Sequence, residues 1–203
     1  MIKDILTNWQ KNRNSVKDFN SVMELSTCMN REYYINDITH EVADSADAYI
    51  RFWNKVDNEN QTPIEQREPI KLYIDSGGGD LTAAYGIIDS ISLSRTPIIT
   101  INVAQAYSSG FLIFIAGHHR IAYPQSSFLF HEGKIAVGYE DAHKFANTAE
   151  FYNIQLDYMK NIVLKYTKIN IDEYEKLKKD DTWFTAQKAL EKGICDEIAN
   201  RFM

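Results

Sequence analysis

Three short stretches carry groups that could attack a carbonyl and move a proton. The first, Ala104-Gln105-Ala106-Tyr107-Ser108-Ser109-Gly110, lies between a β-branched run and an apolar run. A serine at such a strand-to-helix junction has its hydroxyl fixed at a turn. The N–H groups that follow it, with the helix dipole, favour a developing oxyanion. The stretch is not a G-x-S-x-G elbow, and a serine there also serves as an ordinary helix N-cap. The second is His131, which ends the apolar strand Phe128-Leu129-Phe130. There a neutral imidazole reaches a site at the sheet's edge, although a strand-end histidine can equally be structural. The third is Asp180-Asp181 before Trp183-Phe184, where a carboxylate sits beside bulky apolar groups. Read alone, that pair is an N-cap candidate for Ala186 to Lys192.

Other candidates carry less. Gly77-Gly78-Gly79 suggests phosphate binding, but no Gly-Lys-Ser/Thr follows and Thr82 fills the sixth position of a G-x-G-x-x-G frame. What survives is a strand-to-helix turn whose glycines can aim N–H groups outward and let a ligand backbone approach. His40, His118, His119 and His143 form no H-E-x-x-H, and His118-His119 read as an exposed turn. No metal is expected. Cys28 and Cys195 fit no C-x-x-C or zinc spacing and are expected to be reduced, buried thiols of a cytosolic protein. A serine, a strand-end histidine, a later aspartate and a glycine turn together supply nucleophile, base, orienter and oxyanion donors.

The elements that must position these groups alternate. Glu32 to Ile35 reads as a strand, Glu41 to Val56 as a helix, and Asp57 to Glu68 as a solvated loop. Ile70 to Ile74 is a strand running into the glycines, and Leu81 to Leu93 a helix. Pro97 to Val103 is a strand bounded by proline. Phe111 to Ala116 is an apolar helix with Gly117 as C-cap. Arg120 to Tyr123 and Ser127 to Phe130 are strands. This order predicts an α/β domain. From Asp141 to Tyr166 the residues Phe145, Ala149, Tyr152, Leu156, Met159, Val163 and Tyr166 keep a 4-3 spacing. That is a heptad seam on a rod of about 40 Å, suited to a partner's helix or to the chain's own core.

Composition narrows the classes. The chain has 203 residues and a net charge of −6, which disfavours a general nucleic-acid binder. No run approaches the ~18 apolar residues of a membrane span, and Met1 to Trp9 has no signal-peptide core. No membrane association is expected. Residues 1–30 read as a polar N-terminal segment, helical or partly ordered, and 31–203 as the main domain.

The joint order of these motifs resembles the Clp-type serine peptidase family (ClpP-like). Ser76-Gly77-Gly78-Gly79 resembles the family's Ser-Pro-Gly-Gly turn, and Ala104 to Gly110 its Gly-Gln-Ala-Ala-Ser-Met-Gly motif. Phe130-His131 resembles its strand-end histidine. Asp181-Thr182-Trp183-Phe184 through Gly193-Ile194-Cys195-Asp196 resembles its terminal segment. The likeness runs from about Tyr33 to Ile198. It implies Ser108 as nucleophile, His131 as base, Asp181 as orienter, and the N–H groups of Gly79 and Ser109 as oxyanion hole. It also implies the crotonase-like α/β superfold, a spiral of β-β-α units with a long projecting handle helix that pairs stacked rings. No cofactor is implied. The expected substrates are peptides or unfolded proteins, the expected partner an AAA+ unfoldase, and the expected compartment the cytoplasm. Gly77, Tyr107 and Lys71 depart from the family pattern, as does the N-terminus, which suits a phage-type capsid maturation protease as an alternative. A crotonase-like acyl-CoA enzyme is a further alternative.

Overall fold

The computed structural model describes residues 26–133 and 142–202. Most of the N-terminal segment therefore lies outside the described residues.

Parallel pairing dominates the sheet. Strand β1 (Glu32–Ile38) pairs with β2 (Ile70–Gly79), β2 with β3 (Ile98–Tyr107), β3 with β4 (His119–Ala122), and β4 with β7 (Glu197–Ile198). Along β2 burial alternates: Ile70, Leu72 and Ile74 face the core while Lys71 and Tyr73 are half-buried on the other face, and Ile98 and Ile101 of β3 are buried. Helix α1 (His40–Glu59) starts where the Thr39 hydroxyl accepts the Val42 N–H, and buries Ala43, Ala46, Ile50 and Trp53 along one face. Helix α2 (Leu81–Leu93) starts at Asp80, whose carboxylate accepts the Ala83 N–H, and buries Ala84, Ile87, Ile88 and Ile91. Helix α3 (Ser109–Ile115) is seven residues long and buried throughout.

The central strand forks. Ile99–Asn102 of β3 pairs with β4, whereas Gln105–Tyr107 pairs with β5 (Ser127–Phe130). Asn102 holds the fork: its carbonyl accepts the Tyr123 N–H, and its Nδ2 donates to the Ser127 carbonyl at 2.9 Å. Strand β5 pairs antiparallel with β6 (Thr182–Thr185). Helix α4 (Ala142–Tyr166) has 25 residues, about 37 Å, and is followed by α5 (Ile171–Leu177) and, after β6, α6 (Ala186–Glu191).

The α/β expectation and the long helix are both borne out, but several details differ. Within the solvated loop expected over Asp57 to Glu68, Asp57 lies inside α1, and both it and Arg67 are buried. The glycines are not a turn after β2; they are its last residues, paired with Asp37 and Ile38 of a β1 that is three residues longer than expected. Gly117 does not cap α3 in a left-handed conformation. A Cβ there would lie 2.3 Å from Thr100 Oγ1, so close approach to β3 demands glycine. The cap of α6 is Thr185, whose hydroxyl accepts the Lys188 N–H, and not an aspartate of the 180–181 pair. Cys28 is exposed, whereas Cys195 is buried. Finally, Met159 and Val163 of the heptad seam are buried within this protomer. The exposed large apolar side chains of α4 are Phe145, Phe151, Ile154 and Tyr158, of which only Phe145 belongs to the seam.

Candidate active site

Strand β3 ends at Tyr107, and the chain must turn sharply to enter α3. Ser108 makes that turn with φ 54° and ψ −122°, a left-handed conformation that a residue bearing a Cβ resists. Its hydroxyl does not cap α3. Instead Ser108 Oγ lies 2.7 Å from His131 Nε2, and His131 Nδ1 lies 3.1 Å from Asp181 Oδ1. The Ser108 N–H donates to the Leu129 carbonyl at 2.9 Å, so the serine is tied to β5 two residues before the histidine. Strand β6 lies along β5 and carries Asp181, just ahead of Thr182, to the same end.

Backbone fit completes the arrangement. A Cβ on Gly78 would meet Ser108 Cβ at 2.8 Å, and one on Gly79 would meet the Ile38 carbonyl oxygen at 2.2 Å. These two positions, with φ of 105° and 153°, need glycine; Gly77 has open space around it. Ser109 Oγ donates to the Gly79 carbonyl at 3.2 Å, fixing the first turn of α3 against the end of β2. Gly79, Ser108, Ser109, His131 and Asp181 all line one cavity of about 560 Å³, walled on the far side by Leu81, Tyr152, Gln155 and Met159. Asp80, also at its edge, is held below the usual carboxylate range by the Thr82 hydroxyl and the Ala83 N–H. A larger groove of about 930 Å³ runs between α1 and α2, with His40 at one end, and contains none of these groups.

All five residues singled out in the sequence thus meet at one place. Sequence reasoning missed three that support them. Ser76 is fully buried and accepts the Gly78 N–H at 3.1 Å. Gly110 lets α3 approach Ser76, since a Cβ there would sit 3.1 Å from Ser76 Cβ. Glu132 follows His131 and is bonded by two tyrosines. The Ser76 signal was present in the glycine motif, but its partner lies 34 positions away and only folding reveals it.

An imidazole between a serine hydroxyl and a carboxylate is the arrangement that hydrolases working through serine use. Comparison with known proteins gives the family. The model of the Clp protease family matches residues 56–202. The chain is 34% identical over 134 residues to the ATP-dependent Clp protease proteolytic subunit 2 of Mycolicibacterium paratuberculosis (strain ATCC BAA-968 / K-10), covering 65% of this chain and 67% of that one. It is 33% identical over 141 residues to the subunit 2 of Thermobifida fusca (strain YX), covering 66% and 67%. The corresponding subunit of Rhodococcus jostii (strain RHA1) is 29% identical over 134 residues, covering 65% and 68%. The chain belongs to the Clp protease family and is a serine-type peptidase. Among the described residues, no helix is long and apolar enough to cross a membrane.

Proposed function

We propose that this chain is an endopeptidase in which Ser108, His131 and Asp181 form the catalytic triad, within a peptidase domain spanning 31–203. The observation that carries the reading is the 2.7 Å contact between Ser108 Oγ and His131 Nε2, made by a serine hydroxyl that caps nothing. Neutral His131 takes the Ser108 proton as Oγ adds to the scissile carbonyl. Asp181 accepts a hydrogen bond from the Nδ1–H of His131, fixes the tautomer and stabilises the imidazolium. The N–H groups of Gly79 and Ser109, both at the cavity wall, hold the oxyanion. The imidazolium then protonates the leaving amine, and water, activated by the same histidine, hydrolyses the acyl-enzyme.

The relatives are named proteolytic subunits of an ATP-dependent protease. By that analogy the chain acts on peptides and unfolded proteins in the cytoplasm, as stacked rings enclosing the active sites, with a separate AAA+ unfoldase coupling ATP to entry. The bare apolar stripe Phe151, Ile154 and Tyr158 on α4 supports contact between copies. The test is labelling with a fluorophosphonate, followed by mass mapping, together with native mass spectrometry. Modification at Ser108, lost in Ser108→Ala and kept in Ser109→Ala, is the expected result. Label on Ser109, or none, overturns the reading.

A further inference from the structure

His131 is flanked by two residues that one buried side chain holds at once. Tyr174, on α5, is 1% exposed. Its ring packs on Phe130 at 5.5 Å between centroids, and its hydroxyl donates to Glu132 Oε1 at 2.9 Å. From the other side, Tyr152 on α4 donates to the Glu132 carbonyl at 3.2 Å. The residues before and after the histidine are therefore fixed by side chains from two different helices. Among the described residues the ladder between β5 and β6 ends at Phe130, paired with Thr182, one residue before His131.

A core position on α5 needs only an apolar ring, and a phenylalanine would fill it; the hydroxyl is justified by its acceptor. Glu132 could have remained in solvent, yet its carboxylate turns toward the ring and makes a charge-assisted bond, stronger than a neutral one. The Tyr174 hydroxyl is raised far above the usual tyrosine range, first by burial and then by this carboxylate, so it stays a donor at all working pH values.

We propose that Tyr174 and Glu132 form a clamp that positions His131 for proton transfer. Tyr152 couples that clamp to the long helix α4. Both tyrosines and Glu132 are positioning residues; they act on the histidine through its neighbours. This rests on the reading of His131 as the general base. Because displacements of about 1 Å can cost ~10²-fold in rate, loosening the clamp should slow acylation by about 10- to 100-fold. Loss of the Tyr174 hydroxyl should spare substrate binding, since Tyr174 does not line the cavity, whereas Glu132 and Tyr152 do.

The experiment measures fluorophosphonate labelling rates and steady-state peptide hydrolysis for the full chain and four variants, well below each variant's unfolding temperature. Tyr174→Phe and Glu132→Ala should each lower kcat and the labelling rate by 10- to 100-fold, and for Tyr174→Phe, outside the cavity, KM should stay within about twofold. The double variant should be no slower than either single one, since both break the same bond. Glu132→Gln keeps an oxygen acceptor and should recover most of the rate. Labelling of both single variants at the wild-type rate, an effect on KM alone, or fully additive losses would overturn the clamp. If Tyr174→Phe fails to fold, the contrast between Glu132→Ala and Glu132→Gln decides. Failure of the triad reading is distinct: the wild type itself would then carry no label at Ser108.

Discussion

Asp57 and Asp181 each face a nitrogen donor, and their settings are opposite. Asp57 is 2% exposed and accepts both ends of the Arg31 guanidinium at 2.7 and 2.8 Å, plus the Thr96 hydroxyl at 2.7 Å. Arg67 continues the network to Thr96 and Asn58. Asp181 has a side chain 62% exposed and a single bond to His131. Burial alone would raise the Asp57 carboxyl. The hydrogen bonds from Arg31 and Thr96, and the two positive charges, outweigh it and hold that carboxyl below its usual range. The comparison separates two uses of one residue type. A carboxylate locked by three bonds in the interior organises the fold, whereas one left in water exerts a weak, screened pull. Where the orienter is exposed, other contacts must share the work of aiming the imidazole, and His131 has such contacts on both sides.

The sharpest break between the two regions is in activity. Ser108→Ala should lower peptide hydrolysis by at least about 10⁴-fold, because triad members act as a unit, without lowering the melting temperature. Kinetics and calorimetry on the same sample check both halves. Asp57→Asn should do the reverse. Losing the charge that neutralises buried Arg31 should cost about 3 to 5 kcal/mol of stability while activity per folded molecule stays the same. A variant that unfolds no earlier than wild type in urea would show that the network is dispensable.

A third comparison lies within α4. Phe151→Asp adds charge to a bare face and should split the assembly while leaving the protomer folded. Met159→Asp buries the charge and should unfold the protomer itself. Native mass spectrometry and circular dichroism distinguish the two, and identical behaviour would erase the distinction between faces. The smallest of these effects is in pH. Asp57 is depressed in the folded state, so its contribution is full above the unfolded carboxyl value of about 3.9 and is lost as pH falls from there through the lower folded one. The stability gap between wild type and Asp57→Asn should shrink over that acidic window and be constant above it.

The residues brought together around Ser108 were readable because each sits in a short local motif: a junction serine, a strand-end histidine, an aspartate before aromatic residues. Helix α2 and strand β5 were readable from periodicity. What escaped depended on distant partners. Three consecutive glycines have poor strand propensity, yet pairing with Asp37 and Ile38, some 40 positions earlier, makes them strand. The heptad spacing on α4 marked an apolar stripe correctly but could not say what covers it; toward the helix's end the sheet's own helices do. The same holds for Asn102, whose side chain matters only because β3 changes neighbours there. Thr185 displaced the aspartates as cap because β6 occupies the residues between.

On the proposed role of Ser108 as nucleophile, its left-handed backbone also sets a tension between activity and folding. A residue with a Cβ at φ 54° and ψ −122° costs on the order of 1 to 3 kcal/mol, and glycine alone is released from most of that cost. Ser108→Gly should therefore be more stable than Ser108→Ala, by about 1 kcal/mol in urea unfolding. Selection for foldability by itself would drive position 108 toward glycine and a silent protein. Only continued demand for hydrolysis opposes that drift, so the serine persists against the local conformational preference of the chain that carries it.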